Sequence, residues 1–146
     1  MQTPSTIIQH EKINRILEHF QQKNVLISDI ETPSNDLYQD WKAFYQIDRQ
    51  KKIKSLSAYI KRSSFKDIIK GDKAIHAFKE NPKNELRFLA IQNDQCVLSF
   101  TILDAKRFTY NDAIWLSIHV FPEVVLFNPY SLKTFICNQD GYHFYV

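Results

Sequence analysis

Three side chains have the types and spacing to hold a divalent metal and a water: Glu85, Asp104 and Lys106. Asp104 and Lys106 flank Ala105 at the end of the apolar run Phe100–Leu103, and Glu85 opens the preceding apolar run. Carboxylates can bind a metal that acidifies a bound water, and a nearby ammonium can position that water, so the pattern suits metal-assisted hydrolysis. Asp and Lys are also common in exposed turns, and we favour an ordinary polar turn for Asp104-Ala105-Lys106. The histidines His10, His19, His76, His119 and His143 make no helical His–Glu pair of the zinc-hydrolase kind, and Cys-x-x-Cys is absent. The sequence therefore predicts no metal and no cofactor. No serine sits in a Gly-x-Ser-x-Gly elbow. Cys96 and Cys137, inside apolar runs, are expected to be buried, unpaired and inert.

With Glu85 at the start of the same hairpin, the strand ending in Asp104-Ala105-Lys106 resembles half of the PD-(D/E)XK nuclease signature. The resemblance covers Glu85–Lys106. It implies a divalent metal held by the two carboxylates, with Lys106 helping to position the attacking water.

The second chemical feature is charge. Residues 51–87 carry eleven basic and four acidic side chains, whereas residues 1–50 and 88–146 are each net −2. Arg49, Lys51, Lys52 and Lys54 lie close together, and Lys61, Arg62, Lys66, Lys70 and Lys73 follow. If helical, Lys66, Lys70 and Lys73 share one face. Such a stripe attracts phosphates by counterion release, and the interleaved Tyr59 and Phe65 could stack on bases. A solvated surface is the commoner use of such charges, so nucleic acid is kept as the alternative partner.

Two glycines, Gly71 and Gly141, serve the whole chain, where about ten would be average for this length. A phosphate-cradling loop needs several residues without Cβ, so P-loop and dinucleotide-binding readings are excluded. No apolar stretch reaches the roughly 20 residues that a membrane-spanning helix needs. The polar start, Met1–Ile8, has no secretory pattern. A cytoplasmic setting and no membrane partner are the expectation.

These groups must be positioned by an α+β fold. Ile13, Ile16, Leu17 and Phe20 predict a helix over about residues 6–22. Val25–Ile27 reads as a strand or a buried connection. Thr32-Pro33-Ser34 opens a second helix with Leu37, Trp41, Phe44, Tyr45 and Asp48 along one face. Residues 51–80 read as shorter helices. Ser64 caps one piece, Gly71 ends it, and Asp72 caps the next, with Ile75 and Phe78 inward. After Pro82 the apolar period changes to two. Strands are expected at Leu86–Gln92, Cys96–Leu103, Ala113–Phe121, Val124–Phe127, Lys133–Cys137 and Tyr142–Val146, paired antiparallel because short turns join them. The expectation is one domain over 1–146. Its helical part, 1–82, has about four or five helices, and its antiparallel sheet, 83–146, about five or six strands.

Within this frame the segment Ala113–Phe121 splits into two faces. Ile114, Leu116, Ile118 and Val120 point to the core, while Trp115, Ser117, His119 and Phe121 form a second aromatic face, which either the chain's own helices cover, the favoured reading, or a partner binds. Aromatic residues are 14% of the chain, and Trp and Tyr are common interface anchors. The favoured reading is thus a non-catalytic module that binds another protein. Trp115, His119, Tyr142 and Tyr145 are its candidate contacts, with Trp41 if the second helix is exposed. Immunity proteins and antitoxins, which occlude a toxin's active site, are the example suggested by size and by the lack of catalytic signatures. Such a partner is expected to be partly acidic if the basic segment contributes.

Overall fold

The change of period after Pro82 marks the centre of one antiparallel sheet. In the computed structural model the described residues are 4–45, 47, 68–80, 84–92, 95–138 and 143–145. The elements run α1 (Pro4–Gln22), β1 (Leu26–Glu31), α2 (Asn35–Phe44), β2 (Ile69–Lys70), α3 (Asp72–Glu80), β3 (Glu85–Gln92) and β4 (Gln95–Leu103). A short 3-10 turn (Ala105–Arg107), α4 (Tyr110–His119), β5 (Glu123–Phe127), β6 (Thr134–Asn138) and β7 (His143–Tyr145) follow. The strands form a single sheet in the order β1-β4-β3-β5-β6-β7-β2, and every neighbouring pair is antiparallel. This is an α+β fold. Among the described residues it has four α-helices, three of which precede β3.

Alternation along the strands sends side chains to two buried faces. Leu86, Phe88, Phe100, Ile102, Leu126, Phe135 and Cys137 face one layer, covered by Ile16 and Phe20 of α1, Phe78 of α3, and Ala113 and Leu116 of α4. Phe88 and Phe100 are cross-strand partners with ring centroids 4.5 Å apart, the close pairing that stabilises a sheet. The other face carries Leu89, Ile91, Cys96, Val125, Phe127 and Ile136, covered by Tyr38 and Trp41 of α2 and by Ile47. Ser34 pins the start of α2 to the sheet. Its N–H donates to the Cys96 carbonyl at 2.9 Å, and its hydroxyl accepts from Ser99 at 2.7 Å.

One expected strand is a helix. Ala113–Phe121 fits an every-other pattern, yet residues 110–119 form α4. Thr109 and Asp112 make a reciprocal capping box: the Asp112 carboxylate accepts from the Thr109 N–H at 2.8 Å, while the Thr109 side chain accepts from the backbone of Asp112. That local signal and the burial of Asp112, Ala113, Leu116 and Ser117 at helical spacing outweigh the β-branched residues. The sheet survives because β5 takes the vacant place: β4 crosses through α4 to β5, which pairs with β3.

Its two edges come from the first half of the chain, as β1 and β2, so seven strands form where five or six were expected. β1 is interrupted by a register shift between Ser28 and Glu31, and Asp29 has φ +54°. β2 has two residues. Gly71, φ +65°, turns β2 into α3. It does not end a helix as expected, and Lys70 and Lys73 therefore do not share a helical stripe. The Ser64 cap lies outside the described residues.

Cys96 and Cys137 are both buried and unpaired, and they belong to the cores on opposite faces of the sheet. Burial pushes each thiol up to about 12. A thiol reagent at pH 8 should therefore leave the native protein unmodified and label both cysteines after denaturation. Rapid native labelling of either would contradict the packing described.

Candidate functional site

Among the described residues, those singled out by type and spacing are not gathered into one centre. Glu85 begins β3 opposite Leu103, so Glu85 and Asp104 lie at the same end of the β3–β4 hairpin. Asp104 is exposed with φ +49°, and Lys106 is exposed in the 3-10 turn that follows. A helix, α4, follows that turn, where loop and strand were expected. Among the described residues no three Asp, Glu, His or Cys side chains cluster to hold a metal. Glu85 instead meets the Tyr130 hydroxyl, whose pKa is raised by that hydrogen bond and by the carboxylate charge.

Trp115 and His119 lie one turn apart on α4, with ring centroids 5.5 Å apart. Trp115 is partly buried and stacks on His19 of α1 at 3.9 Å and 8°. The Arg15 guanidinium donates to the His119 carbonyl at 3.0 Å. These residues fasten α1 to α4, which the strand assignment could not show. At the centre of that contact is Asp112, 1% exposed. It pairs with Lys23, and His19 Nε2 lies 3.1 Å from its carboxylate. Burial pushes the Asp112 carboxyl up. The bonds from Lys23, the Thr109 N–H and His19 outweigh that and hold it below the ordinary range.

Tyr145 lies in the core between Phe135 and Ile69, not on the surface. Tyr142, Arg49, Lys51, Lys52, Lys54 and Lys66 lie outside the described residues. Lys70 and Lys73 are exposed, on β2 and α3 respectively. The cross-strand neighbour of Cys137 is His143, whose Nε2 lies 2.9 Å from the Tyr110 hydroxyl. A protonated thiol gives this group no nucleophile.

Among the described residues, one feature that could receive a ligand is on the α2 side. A half-open groove of about 370 Å³ is lined by Leu37, Asp40, Trp41, Phe44, Arg87, Phe127, Pro129 and Leu132. The spacing of Leu37, Trp41 and Phe44 puts them on one helical face, as expected. Trp41 packs inward, 5% exposed, but Phe44 is 52% exposed at the rim. The wall is rigid. Trp41 Nε1 donates to Thr134 Oγ1 at 3.2 Å, and the Tyr45 hydroxyl lies 2.7 Å from the same oxygen. Thr134 donates onward to the Leu132 carbonyl. The facing loop is held by Asn128, whose Oδ1 accepts from the backbone N–H groups of Tyr130 and Ser131. It presents Tyr130 80% exposed.

Two charged side chains interrupt that apolar lining, Asp40, exposed on α2, and Arg87. Arg87 sits on β3 between Phe127 of β5 and Thr101 of β4. Its Nε is buried without a hydrogen-bond partner, as is the hydroxyl of Thr101, a residue 1% exposed. Buried polar atoms are rarely left unpaired. Sequence reasoning named three groove residues on α2 but missed Arg87, Phe127 and Leu132. A charge at position 87, among the apolar residues of β3, was the available signal.

No protein-family model, no curated protein and no solved structure matches this chain.

Proposed function

We propose that this chain is a non-catalytic module that binds another protein through the α2 groove and acts by covering a surface of that partner. The observation that carries the reading is the groove itself. Its concave aromatic lining is continued by exposed Phe44 and Tyr130 on its two banks. Apolar surface extending past a cavity onto its rim is typical of protein contacts, where buried aromatic anchors supply most of the affinity. A cavity of this volume is at the small end for cofactor sites, and it accommodates one or two side chains. Burial and the raised pKa of both thiols leave neither as a nucleophile.

Phe44→Asp should abolish partner capture while changing stability by less than about 1 kcal/mol, because the replaced ring is half exposed. The measurement is affinity capture from the native cell with and without nuclease treatment, using His76→Ala, on exposed α3 surface, as the control. A stoichiometric protein held by wild type and His76→Ala but lost in Phe44→Asp supports the reading. Equal retention by Phe44→Asp removes the groove from it. Loss on nuclease treatment points instead to nucleic acid.

A further inference from the structure

We infer that the groove recognises a segment of its protein partner that carries a carboxylate beside a large apolar side chain, with Arg87 as the anchor for the carboxylate. The inference rests on the groove being the docking face. Three observations carry it. First, Arg87 lines the groove, and its Nε is removed from water with no acceptor. A guanidinium is a fork of donors that matches a carboxylate, and an unmade charged bond is costly. Second, no carboxylate of the described residues forms an ion pair with Arg87. Glu85, two residues along the same strand, turns its carboxylate to Tyr130. Third, the Thr101 hydroxyl, directly across the β3–β4 ladder, is a second buried and unpartnered polar atom on the same face. Of the rest of the lining, Leu37, Phe44, Phe127, Pro129 and Leu132 are apolar, the Trp41 indole is bonded to Thr134, and Asp40 is an exposed carboxylate that forms no ion pair with Arg87.

The chemistry separates two roles. The aromatic wall supplies contact area for the apolar side chain. Arg87 supplies selection, because a neutral isostere of the carboxylate would be a weaker acceptor for its buried Nε. In the free protein Arg87 stabilises little, so its removal should affect binding and not folding.

The test is a backbone-amide NMR titration of the whole chain with two blocked dipeptides, acetyl-Phe-Glu-amide and acetyl-Phe-Gln-amide. The acidic probe should shift the amide signals of residues lining the groove, and the Gln probe should bind about tenfold or more weakly. Arg87→Met should remove that preference while its unfolding midpoint stays equal to or above that of wild type. Arg87→Lys should restore part of the preference, since the charge returns without the fork. Equal binding of both probes, or the same preference in Arg87→Met, overturns the role of Arg87 and leaves the capture result with Phe44→Asp standing. No shift with either probe at about 10 mM, a concentration at which millimolar binding is visible, overturns the inference outright. Native mass spectrometry that finds a bound small carboxylate, released by Arg87→Met, would assign the site to free metabolites and overturn the peptide source.

Discussion

Trp41→Ala should lower the unfolding free energy by about 3–5 kcal/mol, the usual range for emptying a buried aromatic site. Trp41 is 5% exposed. Its ring lies 6.2 Å from Tyr38 and 5.2 Å from Tyr45, so the vacated volume is bounded by other rings that cannot all collapse into it. The lost indole N–H bond to Thr134 is the smaller part, because Thr134 keeps Tyr45 and the Leu132 carbonyl. Trp41→Phe separates the two contributions. It keeps most of the ring and should cost about 1–2 kcal/mol. Urea unfolding at pH 7 reads both values. A cost below about 1 kcal/mol for Trp41→Ala would mean that α2 does not form the second core.

The next largest effect is expected at Asp112. Asp112→Ala removes a helix cap and a buried acceptor of several hydrogen bonds, and should cost about 2–4 kcal/mol. Asp112→Asn keeps a capping oxygen and removes the charge, which isolates the pairing with Lys23 and His19. The native carboxyl is held below its ordinary value of 3.8. Its contribution is therefore fully present above the unfolded value and is lost as pH falls through the depressed native one. Wild type should be the more stable of the two at pH 7, and the gap should close as the pH is lowered from about 5 to about 2. A gap that does not change with pH would show that charge at this position is irrelevant.

Much of the fold was legible because strand alternation and turn residues agree. β3 and β4 fall within a residue of their expected bounds, and β5, β6 and β7 follow the breaks at Pro122, at Asn128-Pro129 and at Asp140-Gly141. The failure at α4 has a local cause. Ile114, Leu116, Ile118 and Val120 satisfy a two-residue period, and Ala113, Leu116, Ser117 and Val120 satisfy a helical one equally well. The capping pair Thr109 and Asp112 decides between them, and it lies just before the stretch that was read as a strand. The error reshaped the site as well. Trp115 and His119 stay neighbours, and Trp115 is covered by α1, but both stand on a helix and not on a sheet face.

The groove was harder to read because its walls are far apart in sequence. Arg87, Phe127 and Leu132 meet α2 only through sheet register and the Asn128-centred loop. No local pattern encodes that meeting. The same distance explains why Tyr145, an exposed anchor by composition, ends in the core: β2 and β6 close over it from both sides.

Any open sheet leaves two borders at which a foreign strand could be added, and here both are blunted. β2 is too short to template an extended visitor, and the backbone of β1 is broken out of register beside the left-handed Asp29. Main-chain ladder extension, a sequence-blind mode of capture, is thereby disfavoured. Under the proposed function, selectivity falls to side-chain chemistry on the flat of the molecule, and the same irregular borders protect neighbouring copies from stacking edge to edge.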